Sequence, residues 1–311
     1  MRARTNRLQR MEEAASSRSV CLDARVQSRE SVRSSIGSPR GKRMELINAE
    51  TDRHQLLYHY QPFSGRHIAY LEQTLRDRTV HLSKPSSFND PWDSKPWFNS
   101  SILDDPQERD RHLDWLLTTT GVPADAPPAE EMRGNPALLR AVIEQVRDGH
   151  IRAIDDQYRL YCLTPNPLHQ LMWAHYGDNH RGVCLEFDAR ADLLIGAYRV
   201  HYTDTLPVQR VYTDEENASL VPIFTKSDVW AYEHEYRLVA EERQQARPHM
   251  PNTIESNLHL PRNGTLVGLV IGCQCDEDHV RDLCDRHGRD LRLRRAVRVQ
   301  DRYEIRLEQI R

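Results

Sequence analysis

Glu233, Glu235 and Arg237 stand at alternate positions in the run from Lys226 to Val239. On a strand, alternate residues share one face. Two carboxylates beside a guanidinium can stabilise positive charge that develops on a reacting carbon, or orient an acceptor group. They can equally neutralise one another in a partly buried ion network. Like charges on one strand face need one of these two reasons. Tyr232, Tyr236 and Leu238 fall on the opposite face and are expected to pack.

Positioning this run requires a larger frame. Leu56 to Gln61 predicts an aromatic-rich strand, residues 65–76 a helix with Ile68, Leu71 and Leu75 on one face, and Thr79 to Ser83 a second strand. Lys84 through Asp93 is a loop of turn formers containing Phe88-Asn89-Asp90-Pro91-Trp92-Asp93. Residues 106–119 and 135–154 read as helices around a Pro/Ala-rich connection at 122–129. Tyr158 to Leu163, Gly182 to Phe187, Arg199 to Tyr202, Glu233 to Glu241, Leu266 to Gly272 and residues 302–309 read as strands, and residues 276–288 as a helix. Strands and helices alternate irregularly, which predicts an α+β fold, a single mixed β-sheet domain surrounded by helices. That domain is expected over residues 53–311.

Residues 1–44 hold 11 Lys and Arg against 4 Asp and Glu, with few large apolar residues. Such a segment cannot repay its ordering entropy, so residues 1–50 are expected to form a disordered basic tail, with Met44 as the true start. The remainder carries 32 basic against 42 acidic residues, which argues against a broad nucleic-acid face. The six cysteines are scattered and lack zinc-knuckle spacing, as expected for reduced thiols in a cytoplasmic protein. No apolar run approaches membrane-spanning length, so no membrane partner is expected.

Four segments carry a family resemblance. They are Phe88 to Asp93; Leu171-Met172-Trp173-Ala174-His175-Tyr176 running on into His180-Arg181-Gly182-Val183-Cys184-Leu185-Glu186-Phe187; Lys226 to Arg237; and Leu269-Val270-Ile271-Gly272. In order and spacing these resemble the bacterial domain-of-unknown-function family 2971, from about residue 55 to 309. The resemblance implies a setting of phage defence or toxin systems and names no reaction.

A more distant resemblance joins His59, Ser83 and Glu235 in the order of the ADP-ribosyltransferases, one branch of which uses Glu-x-Glu. It implies NAD as cofactor. Glu235 would be the catalytic carboxylate, Glu233 its acceptor-orienting partner, and His59 and Ser83 the residues holding NAD. Tyr60, Trp173 and Tyr176 would stack, and Arg237 and Asn89 would orient the site, with a protein or nucleic-acid acceptor. Two rival readings stay open on the residues themselves. Asn89, Asp90, Asp93, His175, Asp178 and His180 are types that can bind a divalent metal, as in a nuclease. Or the polar motifs are architectural, in a non-catalytic sensing or interaction domain.

Overall fold

The computed structural model describes residues 34–37, 43–95, 97–206, 212, 220–244, 249–262 and 264–311. Most of the expected tail lies outside them. Ser34–Gly37 and Arg43–Leu46 pair as a two-stranded ladder, and Leu46, Asn48 and Ala49 are already buried. Ordered packing therefore starts several residues before Arg53.

The chain forms two compact units, each assembled from separate stretches. The larger, from residues 46–88, 158–202 and 228–311, contains seven principal strands. These are β1 (Leu56–Gln61), β2 (Tyr158–Leu163), β3 (Val183–Asp188), β4 (Tyr236–Glu242), β5 (Leu266–Ile271), β6 (Arg292–Arg298) and β7 (Ile305–Gln309). Its helices are α1 (Arg66–Asp77), α2 (Gln170–His175) and α3 (Glu277–His287). Five strands form one sheet in the order β7-β6-β5-β3-β1, parallel only between β5 and β6. A second sheet is built on β4, which pairs antiparallel with β2 and with Ala197–Arg199 and parallel with Asn252–Thr253. The fold is α+β as the residue pattern predicts, with several sheets where a single one is expected. The ladder of Thr79–His81 with Asn257–His259 forms a separate sheet, because its continuation meets β2 by the single Ser83–Leu160 bridge and not by a ladder.

Leu57, Leu185, Leu269 and Leu293, at alternate positions of the five-stranded sheet, meet Leu71 and Leu75 of α1 and Val280 and Leu283 of α3 in the main core. The expected helical face of Leu71 and Leu75 is the buried one. Asp276 caps α3, its side chain accepting from the His279 N–H at 3.2 Å.

The smaller unit takes the described residues within 34–45, 89–157 and 203–227. Its helices run over Pro106–Thr120, Pro127–Gly134 and Pro136–Gln157, so the expected Pro/Ala-rich connection ends in a helix of its own, opened by Pro127 at the first turn. Leu113, Leu116, Leu117, Met132, Leu139 and Ile143 form its core. Among the described residues, no helix is long and apolar enough to cross a membrane.

Candidate functional site

The run from Lys226 to Val239 is not one strand. Asp228–Glu233 winds as a 3₁₀ helix, the His234 N–H donates to the Ala231 carbonyl at 3.2 Å, and His234 takes a left-handed φ of 45°. The strand starts only at Tyr236. The expected common strand face for Glu233, Glu235 and Arg237 is therefore corrected, because Glu233 ends the 3₁₀ helix and Glu235 precedes the strand that holds Arg237.

Glu235, 4% exposed, meets Arg237, 0% exposed. The pair is bidentate, Arg237 Nε donating to Oε1 at 2.7 Å and an Nη to Oε2 at 3.0 Å. Two parallel charge-assisted bonds are the strongest form of this pairing. The guanidinium carbon also lies 5.3 Å from the Phe88 ring centroid, a cation–π contact. The Glu235 N–H donates to the Tyr202 hydroxyl at 2.8 Å. Glu233, 2% exposed, accepts from the Tyr176 hydroxyl at 2.6 Å. Of the aromatic residues assigned to ligand stacking by resemblance, Tyr176 joins this cluster through that hydrogen bond.

His59 lies elsewhere. Its ring stacks on Tyr161 at 4.0 Å and its Nδ1 is 2.8 Å from the Cys162 carbonyl. Across the β2–β4 ladder Tyr161 is opposite Leu238, and Cys162 is opposite Arg237. Directly opposed residues share a face and neighbours alternate. Tyr161 and His59 therefore occupy the face carrying Tyr236 and Leu238, and Arg237 with Glu235 occupies the other. Ser83 is tied to β2 by two backbone bonds of 2.9 Å with Leu160. Tyr60 donates to the Asn166 carbonyl at 3.0 Å and meets Trp173 edge-on at 4.9 Å, in an apolar cluster with Met172 and Cys184. The indole of Trp173 is fully buried and donates to the Pro167 carbonyl at 2.9 Å. Tyr60 and Trp173 therefore present no open face for stacking a ligand.

Asn89 belongs to the smaller unit and is exposed. Its neighbour Asp90 is buried and holds the turn, Oδ1 accepting from the Trp92 N–H at 2.9 Å. His175 is exposed, whereas the partly buried His180 lies parallel to Trp173 at 6.5 Å, with burial lowering its pKa. Among the described residues no three His, Cys, Asp or Glu side chains are grouped to hold a metal ion. Burial raises the Cys184 thiol well above its ordinary pKa, which removes it as a thiolate nucleophile.

Burial lowers His59 from 6.5 to about 4. The unfolded chain takes up a proton near pH 6.5 that the folded chain excludes. The stability contributed by His59 is thus complete above pH 6.5 and is lost as the pH falls from there to about 4. His59→Gln is expected to flatten this limb, checked by urea unfolding above and within that window.

A glycine cluster explains two further motifs and was not anticipated from the residues. Asp178, Asn179 and His180 all have positive φ, of 48°, 54° and 67°. This tight turn brings Gly177 to Gly182, whose N–H donates to the Gly177 carbonyl at 2.7 Å, and Gly272 donates to Gly182 at 3.0 Å. A Cβ on Gly182 would stand 2.3 Å from the Gln61 carbonyl oxygen, and one on Gly272 2.3 Å from the His180 oxygen. Gly182→Ala is expected to cost about 1–3 kcal/mol or more, because backbone must move, as thermal melting would show.

Residues 172–238 match the family model described as a protein of unknown function (DUF2971). This segment is similar to DUF2971. It runs from the buried α2 residues Met172 and Trp173 through the glycine turn to the Glu235–Arg237 pair. No curated protein and no solved structure matches the chain. The DUF2971 segment also contains Glu186, 0% exposed in the middle of β3, which pairs with Arg292 and Arg294 of the larger unit's β6. A carboxylate inside Val183-Cys184-Leu185-Glu186-Phe187 was the available signal, since a buried charge requires a partner.

Proposed function

We propose that the DUF2971 segment builds a non-catalytic sensing or interaction module, in which the Glu233, Glu235 and Arg237 motif is an architectural ion network. The observation that supports this is the placement of the pair. Glu235 is engaged by Arg237 on one face of the β2–β4 ladder, and His59 is packed against Tyr161 on the other. A transferase using Glu235, His59 and NAD needs both residues around one ligand. A carboxylate held in a bidentate, buried pair is also poorly free to meet a developing cation.

The test uses the full chain with labelled NAD and cell extract, and separately with nucleic acid and Mg²⁺ or Mn²⁺. The expected result is no label transfer and no cleavage, with Glu235→Gln lowering the melting temperature. Label transfer by the native chain that is lost in Glu235→Gln, at unchanged affinity of folding, would establish the transferase instead. Metal-dependent cleavage lost in His180→Ala would establish a nuclease.

A further inference from the structure

The five-stranded sheet ends differently at its two sides. At β1 the Tyr58 N–H donates to the Thr164 carbonyl at 2.7 Å and the Thr164 N–H returns a bond of 2.9 Å, so that edge is covered. At the other side β7 pairs with β6 alone among the described residues. The ladder decides which backbone groups β7 turns outward. The Val299 N–H donates to the Glu304 carbonyl at 3.0 Å and the Ile310 N–H to the Leu293 carbonyl at 2.8 Å, so both are hydrogen-bonded pairs. Such pairs alternate along an antiparallel ladder. Arg306 opposite Val297 and Glu308 opposite Arg295 therefore direct their backbone toward β6, whereas Ile305, Leu307 and Gln309 direct theirs to the open edge.

An open edge is a template for another strand, and its side chains decide which strand fits. Arg306 and Glu308 are exposed, at 63% and 50%, and flank Leu307. A second copy of β7, laid antiparallel with Leu307 on a two-fold axis, sets Leu307 against Leu307 and Ile305 against Gln309. These are the residues whose backbone groups already face outward. Arg306 then falls opposite Glu308 of the second copy, at positions where facing side chains come closest. Within one copy Arg306 already pairs with Glu308 at 2.6 Å. Two such pairs would meet as an alternating cluster, so neither group has to give up a partner. Moving the axis to Arg306 or to Glu308 keeps the backbone pattern but sets like charges directly opposite, which is unfavourable. The axis at Leu307 is also the one that overlaps all 5 residues of the strand. We propose that the chain pairs with a second copy of itself edge to edge through β7, continuing the five-stranded sheet across a two-fold axis at Leu307.

This inference does not rest on the role of the Glu235–Arg237 pair, because neither residue lies on β7. The experiment is sedimentation equilibrium of the full chain, beside Arg306→Glu, Glu308→Arg, the double variant carrying both, and an equimolar mixture of the two single variants. The native chain is expected to show a monomer–dimer equilibrium with a Kd of about 100 µM or tighter. Each single variant places like charges across the axis and should weaken the dimer about tenfold or more. The mixture and the double variant should recover it, because opposite charges face one another again. All should keep the native melting temperature, since both side chains are exposed. Leu307→Pro removes the outward N–H on the axis and leaves the ladder to β6 intact, as edge strands tolerate, and should sediment as a monomer. The inference fails if the native chain stays monomeric up to about 500 µM, or if the single variants dimerise like the native chain. It fails equally if their mixture does not recover the dimer, or if association continues beyond two copies.

Discussion

Arg237→Met is expected to lower the unfolding free energy by about 3–5 kcal/mol, because it leaves the Glu235 carboxylate buried without its bidentate partner. For a chain of this size that is a fall of roughly 10 °C in melting temperature. The guanidinium has no exposed surface, so water cannot replace it without opening the ladder between β2 and β4. The loss also forfeits the Phe88 contact. Glu235→Gln should cost less, since an amide can still accept from Arg237 through its oxygen. A double-mutant cycle on the two positions should show coupling of about 1–3 kcal/mol, measured by urea unfolding of all four proteins. Coupling near zero would mean that the pair is not the stabilising unit.

Trp173→Ala should cost a similar amount, about 3–5 kcal/mol, for a different reason. The indole is fully buried, lies edge-on to Tyr60, and closes over Gly177, where a Cβ would stand 2.7 Å from the ring. Its removal empties the seat on which the glycine turn rests. Trp173→Phe should recover most of the loss and leave the Pro167 carbonyl short of its donor, a residual of about 1–3 kcal/mol. Denaturant unfolding with near-ultraviolet circular dichroism separates these variants. If Trp173 stacked on NAD, the Phe variant would instead keep its stability and lose NAD binding.

The core strands were legible because their signal is local. Leu266–Ile271 is a continuous apolar run, and Tyr158–Leu163 and Val183–Asp188 fall within a residue or two of the expected spans. The site was legible only as a list of residues. Glu233, Glu235 and Arg237 are visible in sequence, but the left-handed backbone at His234 that delays the strand has no glycine to announce it. The face occupied by His59 depends on which β4 residue is opposite Tyr161, a register set by long-range pairing. Gly182 is visible in sequence as the start of a strand, whereas its tightest constraint is the Gln61 carbonyl, far away in sequence.

The order of the five-stranded sheet has a consequence for synthesis. β3 is held between β1 on one side and β5 on the other, and β5 in turn needs β6. During translation, β1 and β3 emerge with an open edge that stays uncovered until residues 266–298 leave the ribosome. A nascent chain with such an edge is exposed to strand-to-strand association with other copies. Slower elongation between residues 190 and 265 should therefore raise the fraction lost to aggregates, whereas faster delivery of β5 and β6 should raise the soluble yield.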